Sequence, residues 1–491
     1  MPIECIGGTL LPYIPSPDMP WDARRIAHLY RRAGFGATLS QIQTALNKTP
    51  SQLVDELIDA AIALPPTPPP VWYDWSRVPV DDYTDYDQES YDHMLEMVRT
   101  WLQGMLDNGL REKMMLFWHN HFVTGFWSYR CSAYLFSYYK TLQLHALGNF
   151  KNFTIAIGKC PAMLLYLNNN VNVDGGLNEN YARELMELFT MGVDNGYDEN
   201  DIWNVARAIS GWTGATYDGC EYYANDDLRF DVSEWDSGTK TIFGQTGAWD
   251  YDDVHNLIFT QRADEVAQFI CKKLYKHFVY VDPNQDIINQ MVTTFKNNNF
   301  ELAPVLRQLL KSEHFFDDKA VGTQIKSPID MWVGLINSGQ LTYDDMEDAL
   351  NTLFYFAADN SQTLLEPPNV AGWKGHHTWL TQYSLSKRWE NGGNTVWYTN
   401  DQGQTNLINL AKGLTNNSKN PAIITQALID FFTPNGLPRQ IEYDAATAVF
   451  KGEIPENYYT DGTWSLDYAT AKTQIRQLLM YIVQMPEFNL A

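Results

Sequence analysis

At 491 residues the chain is longer than one hydrophobic core commonly serves, so two or three packed subdomains are expected. With 45% apolar and 19% charged residues it is globular rather than disordered. A net charge of −24 argues against nucleic acid or an anionic membrane as partner, and no basic run is long enough to reverse that.

The N-terminal MPIECIGGTLLPYIPSPDMP has no basic stretch followed by a long apolar one, so no secretory leader is read there. No apolar run approaches a membrane span. Cys5, Cys131, Cys160, Cys220 and Cys271 are scattered, odd in number and free of CxxC spacing. That pattern argues against a disulfide framework and a cysteine zinc site, and makes a reducing cytoplasm the default. Aromatics reach 14%, enough to fill a core and to line pockets for flat or sugar-like ligands.

Four sections are expected: a helical region 1–213, an irregular excursion 214–260, a second helical region 261–390 and a helical C-terminal region 391–491. The fold class is mainly α. TPSQLVDELIDAAIAL has Ser51 as a candidate N-cap and apolar residues at helical spacing. LPPTPPPVW (64–72) reads as an extended strap between helical layers. LREKMMLFWHNHF carries no helix breaker from Leu110 to Phe122 and reads as a buried helix.

On such a helix His119 and His121 point about 200° apart, so the two cannot chelate one ion together. Either the helix ends near His119 or only one ring faces a site, and His121 lies nearer the Gly125 turn, where sites open. The alternative is that each ring donates to a backbone carbonyl in the core. His145 follows in LQLHALGNF, near a helix end marked by Gly148.

In NENYARELMELFTMG, Tyr181, Leu185, Leu188 and Phe189 make a core stripe, with Glu184 and Glu187 on the neighbouring stripe. Arg183 stands four residues from both Glu179 and Glu187, which predicts an ion-pair ladder. Glu184 is left without a cation of its own beside the core. Asp198 is the expected N-cap of the next helix, YDENDIWNVARAISGWTG. The excursion 214–250 is rich in Gly, Asp and aromatics, suggests one or two hairpins, and is expected to lie over the body as a lid. Asp236 and Lys240 sit on it, Asp236 as a further candidate substrate contact. In PPNVAGWKGHHTWL, Trp373, His376 and His377 are candidate substrate contacts in a turn-rich loop.

The ordered series RRIAHLYRRAGFGAT, REKMMLFWHNHF, HALGNF, PAMLLYLN, NENYARELMELFTMG, ARAISGWTG and PPNVAGW resembles the bacterial domain of unknown function 1800 family, over residues 22–390. The resemblance implies no single activity. Family members often resemble exported proteins, so export stands beside the cytoplasmic default. The family pattern tends to place His before the Asp of Asp-x-Gly-x-Lys, where this chain has Trp235, and Arg where it has Gln143.

His119 or His121, His145, Glu184 and Glu187 come from successive helical elements, which are usually spatial neighbours. Mixed histidine and carboxylate ligands suit iron, manganese or zinc. The expectation is therefore a metal-dependent enzyme acting on a small molecule or peptide, with oxidative chemistry ahead of hydrolysis. In the hydrolytic version Glu184 or Glu187 is the general base. No G-x-S-x-G and no Walker loop occurs. The remaining alternative is a non-catalytic scaffold whose aromatics face a protein partner.

Overall fold

Short polar side chains open the helices that matter to the site. Asp22 accepts from the Arg25 amide, Asp198 makes a capping box with Asp201, and Ser327 makes one with Asp330. The expected cap at Ser51 moves two residues back to Thr49, because Pro50 occupies the first helical position, where no N–H is needed. These observations come from a computed structural model, which describes residues 9–73, 85–214 and 229–491.

The chain is mainly helical, with two small antiparallel pairs of strands among the described residues. Seven helices position the site: α1 (Ala23–Ala33), α2 (Leu110–His119), α3 (Ser132–His145), α4 (Asn180–Glu184), α5 (Glu199–Ala208), α6 (Ala263–Phe278) and α7 (Pro328–Gly339). The strands are β1 (Trp212–Thr213) with β2 (Arg229–Phe230), and β3 (Lys240–Ile242) with β4 (Gln245–Gly247). Thr241 pairs with Thr246 across the second hairpin. The part of the excursion at 215–228 lies outside the described residues.

One continuous apolar core runs from Leu10 to Phe488. Distant segments are tied across it: Asn149 bridges to Glu301 and Ile325 to Leu490. All ten residues of α2 are buried, so this helix is the centre of the packing. It stops at His119, not at Phe122, and the chain turns there.

The helix of NENYARELMELFTMG is also not uniform. After Glu184 it widens into a π turn, Leu185–Thr190, where the Met191 amide reaches the Met186 carbonyl. Gly192 ends it with φ 95°, and its missing Cβ leaves room for the Phe269 ring.

Cys160 and Cys271 are free and buried. Cys131 is disulfide-bonded, against the expectation from cysteine spacing, and its partner falls outside the described residues. Among the described residues no helix is long and apolar enough to cross a membrane.

Candidate functional site

Three consecutive residues at the end of α2 each hold a different segment of the chain. His119 Nε2 accepts the Leu365 amide at 3.1 Å, which places the ring proton on Nδ1. Nδ1–H then donates to Tyr138 Oη at 2.9 Å, and the Tyr138 hydroxyl donates to the Phe122 carbonyl at 2.6 Å. Asn120 takes both backbone groups of Trp373: its Oδ1 accepts the amide at 2.6 Å and its Nδ2 donates to the carbonyl at 3.1 Å. His121 Nε2–H donates to the Phe189 carbonyl at 2.9 Å, so its Nδ1 is the acceptor for Lys273 Nζ at 2.7 Å.

Both histidine rings are therefore neutral and fully engaged. Burial lowers the His119 pKa to about 3. It also holds His121 well below the ordinary imidazole value, with the Lys273 charge adding to the effect. The helix ends near His119, as one branch of the sequence argument required, and His121 does donate to a core carbonyl, as the alternative proposed.

The other expected ligands lie apart from these nitrogens. His145 is half-buried and stacks on Phe153, ring centroids 5.3 Å apart. Glu187 belongs to the predicted ladder: Arg183 reaches it at 3.1 Å and Glu179 at 2.9 Å, and also binds Glu199 at 2.7 Å. Glu184 is half-buried with no hydrogen-bond partner among the described residues. Burial raises its carboxyl pKa and Glu187 adds to the rise, with Arg183 opposing. Among the described residues, no group of three or more His, Cys, Asp or Glu side chains is arranged to hold a metal ion.

Asp236 fastens the excursion to α5 through Arg207, at 2.6 Å and 3.1 Å. Burial opposes its ionisation, but Arg207 and the Gly238 amide hold its pKa below the ordinary value.

What the clasp at 119–121 does build is one wall of a cleft of about 450 Å³. Lys113, Phe117 and Asn120 line it from α2, and Lys273, Lys276 and His277 from the end of α6. Arg31 and Arg32 enter from α1, and Lys326 and Asp330 from the start of α7. The expected contacts Trp373 and His376 line it too, with Lys374 and Trp379 beside them. His377 is exposed, its ring edge-on to that of His376 at 4.1 Å. None of the described residues of 214–250 lines this cleft.

Among the described residues the cleft carries seven Lys and Arg side chains against one side-chain carboxylate, Asp330, in a chain where acids outnumber bases 59 to 35. Of the seven, only Lys113 is ion-paired among the described residues, with Asp330. Arg31 donates to the Phe431 and Thr433 carbonyls, and Arg32 to those of His277, Phe278 and Val279. Lys326 reaches the Phe488 carbonyl. Carbonyl oxygens orient these groups without cancelling their charge.

The cost of that arrangement shows in the pKa values. Burial lowers Lys273 to about 8, Arg32 to about 9 and Arg31 to about 10. Lys326 falls well below the ordinary lysine value through burial, with repulsion from Arg31 next. His277 drops to about 3 by burial, with Lys113 contributing. Two buried nitrogens of the lining, Trp373 Nε1 and His277 Nε2, have no hydrogen-bond partner among the described residues. The arrangement is a partly dehydrated cationic cavity with polar capacity to spare.

The motifs that make the cleft and its clasp span the chain from α1 to the C-terminal segment, and a family match covers the same span, residues 28–490. The chain belongs to the family described as protein of unknown function (DUF1800). The match passes residue 390, where the recognised motifs stopped, and takes in Phe488, whose carbonyl accepts from Lys326. No curated protein and no solved structure matches the chain. In this DUF1800 chain the sequence reading missed Lys273, Lys276, Lys326 and the two arginines of α1. A signal was present, since QFICKKLYKHF and LYRRAGFG are basic clusters in an acidic chain. Lysine near a helix C-terminus is common for dipole reasons, which hides a site of this kind.

Proposed function

We propose that this protein binds a small, multiply charged anion in the cationic cleft. The observation that carries the reading is the charge imbalance: seven Lys and Arg line the cleft and only Lys113 has a carboxylate partner among the described residues. An anion there would restore the protonation that burial opposes, and charge-assisted contacts in such a site are among the strong ones. The volume suits a ligand of sugar-phosphate or nucleotide size rather than a polymer. The net charge of −24 outside the cleft further disfavours a long nucleic acid.

The test is thermal unfolding with inorganic phosphate or pyrophosphate against chloride at matched ionic strength. Binding at a hundredfold excess over Kd stabilises by about 2.7 kcal/mol. Lys276→Glu, at an exposed position on the cleft, should remove most of the gain. Equal Tm in all three salts, or a gain untouched by Lys276→Glu, would overturn the reading.

The metal-dependent oxidoreductase or hydrolase expected from sequence fits these residues less well, because His119 and His121 spend both ring nitrogens inside the protein. What remains in favour of a chemical role on that side is Glu184, whose carboxyl is raised and without a cation of its own. For the compartment, the Cys131 disulfide favours an oxidising one over the cytoplasm. Peptide mapping without reductant should find Cys131 cross-linked, and a free Cys131 thiol would remove that support.

A further inference from the structure

Lys273 differs from every other cation of the cleft in what it touches. Its Nζ donates neither to a carboxylate nor to a carbonyl among the described residues, but to the lone pair of a neutral imidazole, His121 Nδ1, at 2.7 Å. The orientation of that lone pair is fixed, because Nε2–H is committed to the Phe189 carbonyl. The aliphatic stem runs beside Phe269, whose ring centroid is 5.0 Å from Nζ. The side chain is not sealed in, since it is part-exposed and lines the cleft. The end of α6 would ordinarily favour the protonated amine, but Arg32 already occupies its last carbonyls.

We infer that Lys273 is the reactive amine of the cleft, forming an imine with an aldehyde or ketone group carried on a small anion. The inference rests on the anion-binding reading above. The neighbouring cations would hold the anionic end while the carbonyl carbon meets Nζ. The Nζ lone pair adds to that carbon, the carbonyl oxygen leaves as water with the two amine hydrogens, and a C=N bond remains. His121 Nδ1 is the acceptor placed to take the first of those protons. Burial lowers the Lys273 pKa to about 8, which leaves part of the amine unprotonated near neutral pH, as a nucleophilic lysine requires.

Pyridoxal 5′-phosphate is a suitable probe, being an aldehyde that carries a phosphate group. The protein would be treated with it briefly at neutral pH and reduced with borohydride, which delivers hydride to the imine carbon and fixes the adduct. Peptide mapping then reads the site. Lys273 should be modified at least about tenfold faster than exposed lysines such as Lys140 or Lys319, because burial and the His121 contact favour its neutral amine. Pyridoxal without the phosphate should lose that preference, and inorganic pyrophosphate should protect. In Lys273→Met the fast adduct should vanish. Adducts spread evenly over surface lysines, with the Tm rise intact, would overturn the imine chemistry and leave anion binding standing. Loss of the Tm rise in the unmodified protein would sink both.

Discussion

Asn120 holds both backbone groups of Trp373, accepting its amide at 2.6 Å and donating to its carbonyl at 3.1 Å, so one side-chain amide substitutes for a strand neighbour. The loop carrying Trp373, Lys374 and His376 is thereby fixed to the end of α2, and the cleft acquires its wall. Gly372 makes the approach possible. It stands at φ 75°, and a Cβ there would fall on the Asn120 side chain and carbonyl.

Asn120→Leu should cost about 2–4 kcal/mol, since it leaves two backbone groups of Trp373 unpaired. Gly372→Ala should cost a similar amount through strain and collision. The two changes disturb one contact, so the double variant should lose at least about 1 kcal/mol less than the sum. Urea unfolding of the four proteins measures this, and strict additivity would show that the clasp is not the shared cause.

The two histidines of the HNH motif should separate by readout rather than by stability. His119→Phe strands the Leu365 amide and removes the N–H donated to Tyr138, and His121→Phe strands the Phe189 carbonyl and the Lys273 amine. Each should cost about 2–4 kcal/mol. Only the second should change the behaviour of Lys273 towards pyridoxal 5′-phosphate. An equal loss of labelling in both, in protein still folded by circular dichroism, would break the link between His121 and Lys273.

Acid should destabilise the protein well before its carboxylates protonate. Burial depresses the pKa of His119 to about 3, of His255 to about 4 and of His277 to about 3. Groups whose folded pKa lies below the unfolded one are neutral when folded. Their stability contribution is whole above about pH 6.5 and is lost as the pH falls towards 3–4. Each contributes a slope of up to about 1.4 kcal/mol per pH unit in that window. Glu112, Glu184 and Glu366, with raised pKa values, oppose it in part. The urea midpoint should therefore fall steeply between pH 6 and about 4.5, and a flat profile there would contradict the neutral histidines.

The helices were legible because their signals are local. Asp198 caps where the sequence placed a cap, and Arg183 makes the ladder its i, i+4 neighbours predicted. The end of α2 was legible only as one of two alternatives, since no Gly or Pro marks it and the turn is held by partners far along the chain: Leu365, Trp373, Phe189 and Lys273. The π turn after Glu184 shifts the register by one residue, so a stripe drawn with a 3.6 period misassigns Met186 and Thr190, both buried. The cleft escaped for a related reason. Its cations come from α1, α2, α6, α7 and the 373–376 loop, and no single window holds enough of them to stand out. Trp373 and His376 were found because a loop rich in prolines and glycines draws attention to its aromatics.

Glu184 gives the last prediction. Arg183 divides its hydrogen bonds among Glu179, Glu187 and Glu199, leaving Glu184 half-buried, repelled by Glu187 and without a hydrogen-bond partner among the described residues. A carboxyl whose folded pKa is raised favours the folded state when protonated. That favour is present at low pH and is lost as the pH rises through the folded value. Glu184→Gln mimics the protonated form, so the variant should match or exceed the parent at pH 7, by up to about 1 kcal/mol, with the difference closing towards pH 4. A buried ion-pair member would behave in the opposite way, losing about 3–5 kcal/mol at pH 7 through the partner left uncompensated. Melting temperatures of the two proteins at both pH values separate these outcomes. A large loss at pH 7 would mean that Glu184 has a cationic partner that the described residues do not supply. Equal stability accompanied by loss of a measured activity would instead give Glu184 the chemical role expected of it from the sequence.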